Sequence, residues 1–117
     1  MSKELLNRTK QFCYDVLNLT KLLPNTYLGN HIKGQMIRAG TSVSSNHRAA
    51  RLAQSRAAFK AKISIVLEEA DECAFWCEII EKEELVKDPL LGQVIKEATE
   101  LSSIFIATRK TMMKNER

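Results

Sequence analysis

Apolar side chains recur every three or four residues along most of the chain, which is the spacing of one face of an α-helix. The first such run consists of Leu5, Phe12, Val16, Leu19 and Leu23. It predicts a helix over residues 3 to 22, because Pro24 follows where a helix could not easily continue. Thr9 is the one polar residue on the apolar face of this helix.

Two further runs predict a second and a third helix. The second begins at a cap formed by Asn25 or Thr26, and its apolar face comprises Ile32, Met36, Ala39, Val43, Asn46, Ala50 and Ala53. The third comprises Phe59, Ile63, Val66, Ala70, Cys73, Cys77 and Ile80.

The second and third runs are out of step, since continuing the second beyond Ala53 does not reach Phe59 or Ile63. We therefore expect the helix to break between residues 54 and 56, with Ser55 as the cap of the third helix. An unbroken helix over residues 26 to 84 would be a rod of roughly 90 Å, too long for a compact domain of this size.

The fourth helix is predicted to begin at Asp88 and Pro89, a capping carboxylate followed by proline at the first helical position. Its apolar face comprises Leu91, Val94, Ala98, Leu101, Phe105, Thr108 and Met112. Four helices joined by short connections predict an all-α fold, an antiparallel up-down-up-down four-helix bundle. Residues 1 to 117 are expected to form one domain.

Charge is distributed unevenly along the chain, although the net charge is only +4. No Asp or Glu occurs between Val16 and Leu67, whereas eleven carboxylates face three lysines between Glu68 and Glu100. Two interpretations remain open: a basic surface for a polyanion such as RNA or DNA, or charge complementarity between helices or between copies of the protein. The candidate nucleic-acid or partner contacts are Lys33, Arg38, Arg48, Arg51, Arg56, Lys60 and Lys62.

Small residues dominate the stretch RAGTSVSSNHRAAR over residues 38 to 51. A phosphate-binding loop should follow a strand, and no strand pattern precedes this stretch, so we interpret it as helix. Gly40 and Ser42 then indicate close packing by a neighbouring helix or protomer. Asn46 is expected to be a structural polar residue that finds acceptors in the acidic part of the third helix, with ligand contact as the alternative. We expect His47 to be partly exposed.

Catalytic and metal-binding sites are not indicated by the remaining reactive residues. Cys13, Cys73 and Cys77 form an odd set, and the last two lie on an apolar face, which is typical of reduced, structural cysteines in a cytoplasmic protein. His31 and His47 do not complete a metal set with them. We expect no enzyme activity, no metal, no cofactor and no membrane-spanning segment.

The segments IRAGTSVSSNHRAAR, SRAAFKAKISIVLEEADECAFWCEII and KEATELSSIFIATRK together resemble the 23S rRNA intervening-sequence proteins. Many members of that family carry Glu-Gly shortly after the asparagine at position 46, whereas this chain has Ala49 and Ala50, which indicates a subgroup. The resemblance implies an up-down bundle that assembles into a homopentamer.

A similar bundle occurs in accessory proteins of diversity-generating retroelements, which present a basic surface to reverse transcriptase and nucleic acid. By this resemblance we expect a non-enzymatic oligomer whose basic second and third helices associate with RNA or a ribonucleoprotein. A ribonucleoprotein that contains a reverse transcriptase is one such partner. The alternative is a structural assembly or protein-interaction module that binds no nucleic acid.

Overall fold

Four helices form the fold in a computed structural model, which describes residues 2–115, without the side chain at 115. They are α1 (Lys3–Thr20), α2 (Tyr27–Ala50), α3 (Arg56–Lys82) and α4 (Pro89–Asn115). The predicted all-α four-helix bundle is confirmed, including the break between the second and third helices. Residues 1, 116 and 117 of the predicted single domain lie outside the described residues.

Side chains cap the start of each helix. The hydroxyls of Ser2, Thr26 and Ser55 each accept a hydrogen bond from the backbone N–H three residues later, at 3.0 Å. Asp88 Oδ1 accepts from the N–H of Leu90 at 2.9 Å. These bonds satisfy N–H groups that have no partner within their own helix. The predicted caps at Thr26, Ser55 and Asp88 are therefore confirmed.

A tight turn that contains no glycine ends α3. Glu84 adopts a left-handed backbone with φ of 53°. The N–H of Leu85 donates to the carbonyl of Ile80 at 3.0 Å, and that of Glu84 donates to the carbonyl of Glu81 at 3.2 Å. This pair of bonds is the Schellman motif, in which glycine is the usual left-handed residue. Glu84 therefore holds a backbone conformation that side chains disfavour.

The helices pack in chain order around one core. α2 lies between α1 and α3, and α4 closes the bundle against α3 and α1. The molecule measures 49 × 23 × 20 Å, so the break after α2 replaces the 90 Å rod by two antiparallel helices. The largest fully buried apolar side chains are Phe12, Phe105, Leu19, Ile32, Met36, Ile63, Ile80 and Leu101.

Gly40 marks the close approach of α1 and α2. A Cβ placed on Gly40 would lie 2.7 Å from Val16 Cγ1 and 3.0 Å from Val16 Cβ, which is closer than packed carbon atoms come. By contrast, a Cβ on Gly34 in the same helix would have no atom within 4 Å. The predicted close packing at Gly40 is confirmed, and the neighbour is α1 of the same chain.

His47 lies in the core, so the prediction of partial exposure is wrong. Its side chain is fully buried, and Nδ1 lies 2.8 Å from the hydroxyl of Thr9 on α1. Its ring meets the ring of Phe105 on α4 edge to face at 5.0 Å. The polar residue on the apolar face of α1 is thus hydrogen-bonded to Nδ1 of the α2 imidazole across the bundle.

Candidate nucleic-acid interface

Positive charge is concentrated at one end of the bundle. The antiparallel packing brings the first turns of α1 and α3 to the same end as the last turns of α2 and α4. Within residues 3–10, 45–62 and 105–114, which we call the basic end, Glu4 is the only carboxylate. The cations there are Lys3, Arg8, Lys10, Arg48, Arg51, Arg56, Lys60, Lys62, Arg109, Lys110 and Lys114.

The opposite end of the bundle carries acidic residues. The last turns of α3 and the turn after it hold Glu78, Glu81, Glu83 and Glu84, all of them exposed. The division between a basic half and an acidic third of the sequence thus becomes a charge gradient along the 49 Å axis of the molecule. Such a gradient orients the molecule toward a polyanion.

Arg38 lies outside the basic end and is already paired. Its guanidinium donates to Glu69 of α3 at 2.9 Å and also to Glu72. The hydrogen bond with Glu72 raises the pKa of Arg38 above its usual value. Arg38 therefore joins α2 to α3, although it was among the predicted nucleic-acid contacts. Arg8 is similarly paired, since its Nε donates to Glu97 of α4 at 3.1 Å.

Asn46 and Ser42 form a small polar network with Lys62. Asn46 Nδ2 donates to the carbonyl of Ser42 at 3.0 Å and to its hydroxyl at 2.8 Å. Asn46 Oδ1 accepts from Lys62 Nζ at 3.5 Å. The expectation that Asn46 bonds to the acidic residues of α3 is wrong, because this part of α2 faces the first turns of α3, where the charge is positive. Lys62 thus faces the α2–α3 groove.

Arg48 and Arg51 lie on the other side of α2, against α1. Together with Lys10 they line a groove of about 360 Å³. Lys33 precedes Arg51 by 18 residues, which is five helical turns, so it lies on the same side of α2 but nearer the opposite end. The structure brings Arg48 and Arg51 together with a lysine of α1 that the sequence reasoning did not select.

The end of α4 completes the basic end. Arg56 Nη2 lies 3.5 Å from the carbonyl of Met112, which connects the start of α3 to the last turns of α4. Arg109, Lys110 and Lys114 therefore come close to Arg56, as does Lys60 one turn along α3. The signal for these residues was present in the sequence, because an antiparallel bundle places the end of the fourth helix beside the start of the third.

The three cysteines are free and buried. Burial raises the pKa of Cys77 to about 12 and raises the pKa of Cys73 as well, so neither thiol is activated for nucleophilic attack. Across residues 2–115 no group of three or more His, Cys, Asp or Glu side chains is placed to hold a metal ion. None of the four helices, over the residues described, is long and apolar enough to cross a membrane.

A family model described as 23S rRNA-intervening sequence protein matches residues 2–107. The chain belongs to this family. A crystal structure of a similar protein from Bacteroides thetaiotaomicron, described as a protein with unknown function from the S23 ribosomal protein family, shares 30% sequence identity. The similarity covers 90% of this chain and 97% of the other, with a TM-score of 0.78. No curated protein matches the chain.

Membership of the 23S rRNA-intervening sequence protein family confirms the resemblance found in the sequence and agrees with the four-helix architecture. The function of the family is unknown, and the homopentamer and the RNA contact remain predictions. What the structure contributes is the position of the cations that are available for such a contact.

Proposed function

We propose that this chain is a non-catalytic, cytoplasmic protein that associates with RNA, alone or in a ribonucleoprotein, through the basic end of the bundle. The observation that carries the proposal is the meeting of eleven cations and one carboxylate within the residues of that end, where Arg8 reaches carboxylates from outside them, Glu97 and Glu100 of α4. RNA is a dense polyanion, and a protein that neutralises its phosphates releases condensed counterions. Binding is therefore mainly electrostatic, weakly sequence-specific and strongly dependent on salt.

The division between paired and unpaired cations supports this assignment. Arg8 forms an ion pair with a carboxylate of α4, and Arg38 forms one with a carboxylate of α3, so both charges are neutralised within the bundle. Lys10, Arg48 and Arg51 have no hydrogen bond or ion pair with any described residue. Cations without an internal partner can exchange water for phosphate oxygens with little loss of intramolecular bonding.

Assembly would strengthen the interaction. In the homopentamer that the family resemblance implies, five copies of a +4 chain carry +20. Five basic ends in one ring would engage several phosphate groups simultaneously, so the affinity of the assembly exceeds that of one copy.

A second candidate function is an assembly module without nucleic acid. The acidic cluster of Glu78, Glu81, Glu83 and Glu84 is complementary to the basic end of another copy. Exposed pairs of this kind are weakened by salt. This candidate therefore predicts an oligomer that dissociates at high salt, so that its mass falls, and that does not bind RNA.

The test compares two variants with equal net charge. One removes four cations of the basic end, by Arg48→Gln, Arg51→Gln, Arg109→Gln and Lys110→Gln. The control removes four cations elsewhere, by Lys21→Gln, Lys82→Gln, Lys87→Gln and Lys96→Gln. Affinity for a structured RNA is measured with nuclease-treated protein at several salt concentrations, and light scattering in the same buffers gives the mass.

The proposal predicts that the basic-end variant loses most of the affinity. The slope of log K against log salt should fall by about 3, since each of the four lost phosphate contacts contributes roughly 0.7 to 0.9. The control should retain most of both. Equal losses would show that net charge alone determines binding. No binding by the unaltered protein at low salt, with an oligomer that salt dissociates, would favour the assembly module.

A further inference from the structure

One groove of the basic end combines unpaired cations with an aromatic ring. It runs between α1 and α2 and has a volume of about 360 Å³. Its lining comprises Leu6, Asn7, Lys10, Cys13, Tyr14, Ser44, Arg48 and Arg51. The lining contains no carboxylate, so three positive charges lie along the groove without a compensating negative charge.

Like charges gathered in one groove repel each other, so their convergence costs free energy unless an anion occupies the space between them. The guanidinium groups elsewhere in α1 and α2 avoid this cost, because Arg8 and Arg38 are paired with glutamates. Lys10, Arg48 and Arg51 make no such pair within residues 2–115. Within residues 2–115 this groove therefore has no anion to match its cations.

Tyr14 narrows the chemistry of that anion. Its side chain is 47% exposed, although it borders the groove and lies one turn along α1 from Lys10. A half-exposed aromatic ring beside a row of cations is the combination that proteins use for single-stranded nucleic acid, where the cations follow the phosphates and the ring stacks on a base. Asn7 and Ser44 add neutral hydrogen-bonding groups to the same lining.

We infer that the groove between α1 and α2 binds a nucleotide of single-stranded RNA, with the phosphate at Lys10, Arg48 and Arg51 and the base stacked on Tyr14. This inference rests on the proposed function and gives it a defined site that extends from the basic end to Tyr14. Leu6 and Cys13 supply the apolar wall on which the ribose and the base edge would lie. An acidic peptide could satisfy the cations but would leave the ring of Tyr14 without a role.

The test measures binding of a fluorescently labelled pentauridylate by anisotropy, with the full chain. Tyr14→Leu keeps the bulk of the side chain and removes the stacking surface. Its control is Tyr27→Leu, since Tyr27 is 92% exposed and lies at the other end of the bundle. A second comparison uses two double variants of equal charge. The groove variant carries Arg48→Gln and Arg51→Gln. Its control carries Arg109→Gln and Lys110→Gln, which remove the same charge from the basic end outside the groove.

The inference predicts that Tyr14→Leu weakens pentauridylate binding by about fivefold to a hundredfold, the range for loss of one stacked base. Tyr27→Leu should change the affinity by less than about twofold. The groove double variant should weaken binding more than its equally charged control. Circular dichroism and melting temperatures of all variants should match those of the unaltered protein, because every substituted side chain is at least partly exposed.

Four outcomes would overturn the inference. If Tyr14→Leu leaves the affinity unchanged and the two double variants lose affinity equally, binding to the basic end is diffuse and the proposed function remains intact. Binding of structured RNA without binding of pentauridylate would do the same. Failure to bind either RNA at low salt would overturn both the groove and the proposed function. If oligoglutamate displaces pentauridylate equally well from the Tyr14→Leu variant and from the unaltered protein, the groove is a peptide site.

Discussion

Acid should destabilise the bundle through His47. The imidazole is fully buried between the hydroxyl of Thr9 and the ring of Phe105, neither of which is charged. The Thr9 hydroxyl also donates to the carbonyl of Leu6 at 3.1 Å, so His47 Nδ1 carries the proton of the bond to Thr9. Nε2 has no partner in the described part of the chain, and a proton added there would place an unpaired charge in the core.

Burial lowers the pKa of His47 from 6.5 to about 4. Because the folded state binds this proton less readily than the unfolded state, the free energy of unfolding is unaffected above pH 6.5 and falls as the pH drops through the interval from 6.5 to 4. For these two pKa values the loss between pH 7 and pH 5 is about 2 kcal/mol, and it reaches about 3 kcal/mol at pH 4.

Urea unfolding followed by circular dichroism at pH 7, 6 and 5 measures this loss. The variant His47→Leu removes the titrating group while roughly preserving its volume, and it leaves Thr9 bonded to Leu6. Subtracting its pH dependence removes the contribution of the carboxylates. His31→Gln, which alters an exposed histidine, is the control and should behave like the unaltered protein. If His47→Leu loses as much stability between pH 7 and pH 5 as the unaltered protein, the reasoning is refuted.

Two further predictions concern backbone geometry and are measured by the same unfolding assay. Gly40→Ala should destabilise the bundle by about 1 to 3 kcal/mol, because its Cβ would meet Val16. The control Gly34→Ala, whose Cβ would meet no atom, should stabilise the bundle by up to about 1 kcal/mol. A stabilising effect of Gly40→Ala would contradict the close approach of α1 and α2. Glu84→Gly should stabilise the bundle by about 1 kcal/mol, because glycine adopts the left-handed φ of this position without strain. The control Glu83→Gly should not stabilise the bundle, since φ at Glu83 is −85°. Equal effects of the two substitutions would show that the turn carries no strain.

The helix pattern could be predicted from sequence because it depends on local spacing. The mismatch between the second and third runs indicated a break, and Ser55 and Asp88 begin helices as expected. Caps and breaks are determined by neighbouring residues, whose identities are all in the sequence. The Schellman turn at Glu84 was missed because glutamate gives no sign of a left-handed backbone.

The error at His47 came from the choice between steps of three and four. From Val43 the apolar face can continue through Asn46 or through His47 before reaching Ala50, and both candidates are polar. The structure selects His47, which is fully buried, whereas Asn46 is half-buried. The deciding partner is Thr9, which lies 38 residues away in another helix and which the pattern of α2 alone could not reveal.

The candidate site was predicted only in part for a related reason. The sequence identified a basic region, but it could not separate cations that are paired from those that are available. Arg38 belongs to Glu69 and Glu72, whereas Arg48 and Arg51 have no partner among the described residues. The distinction depends on which helix faces each side of α2, and that is a property of the assembled bundle.

The measurement that tests the central claim most directly is the salt dependence of binding between the nuclease-treated protein and a structured RNA, compared for the two equally charged quadruple variants. The account predicts salt-sensitive binding that survives loss of the four lysines outside the basic end and is largely lost with Arg48, Arg51, Arg109 and Lys110. Equal loss in both variants, or no binding by the unaltered protein at low salt, would contradict it.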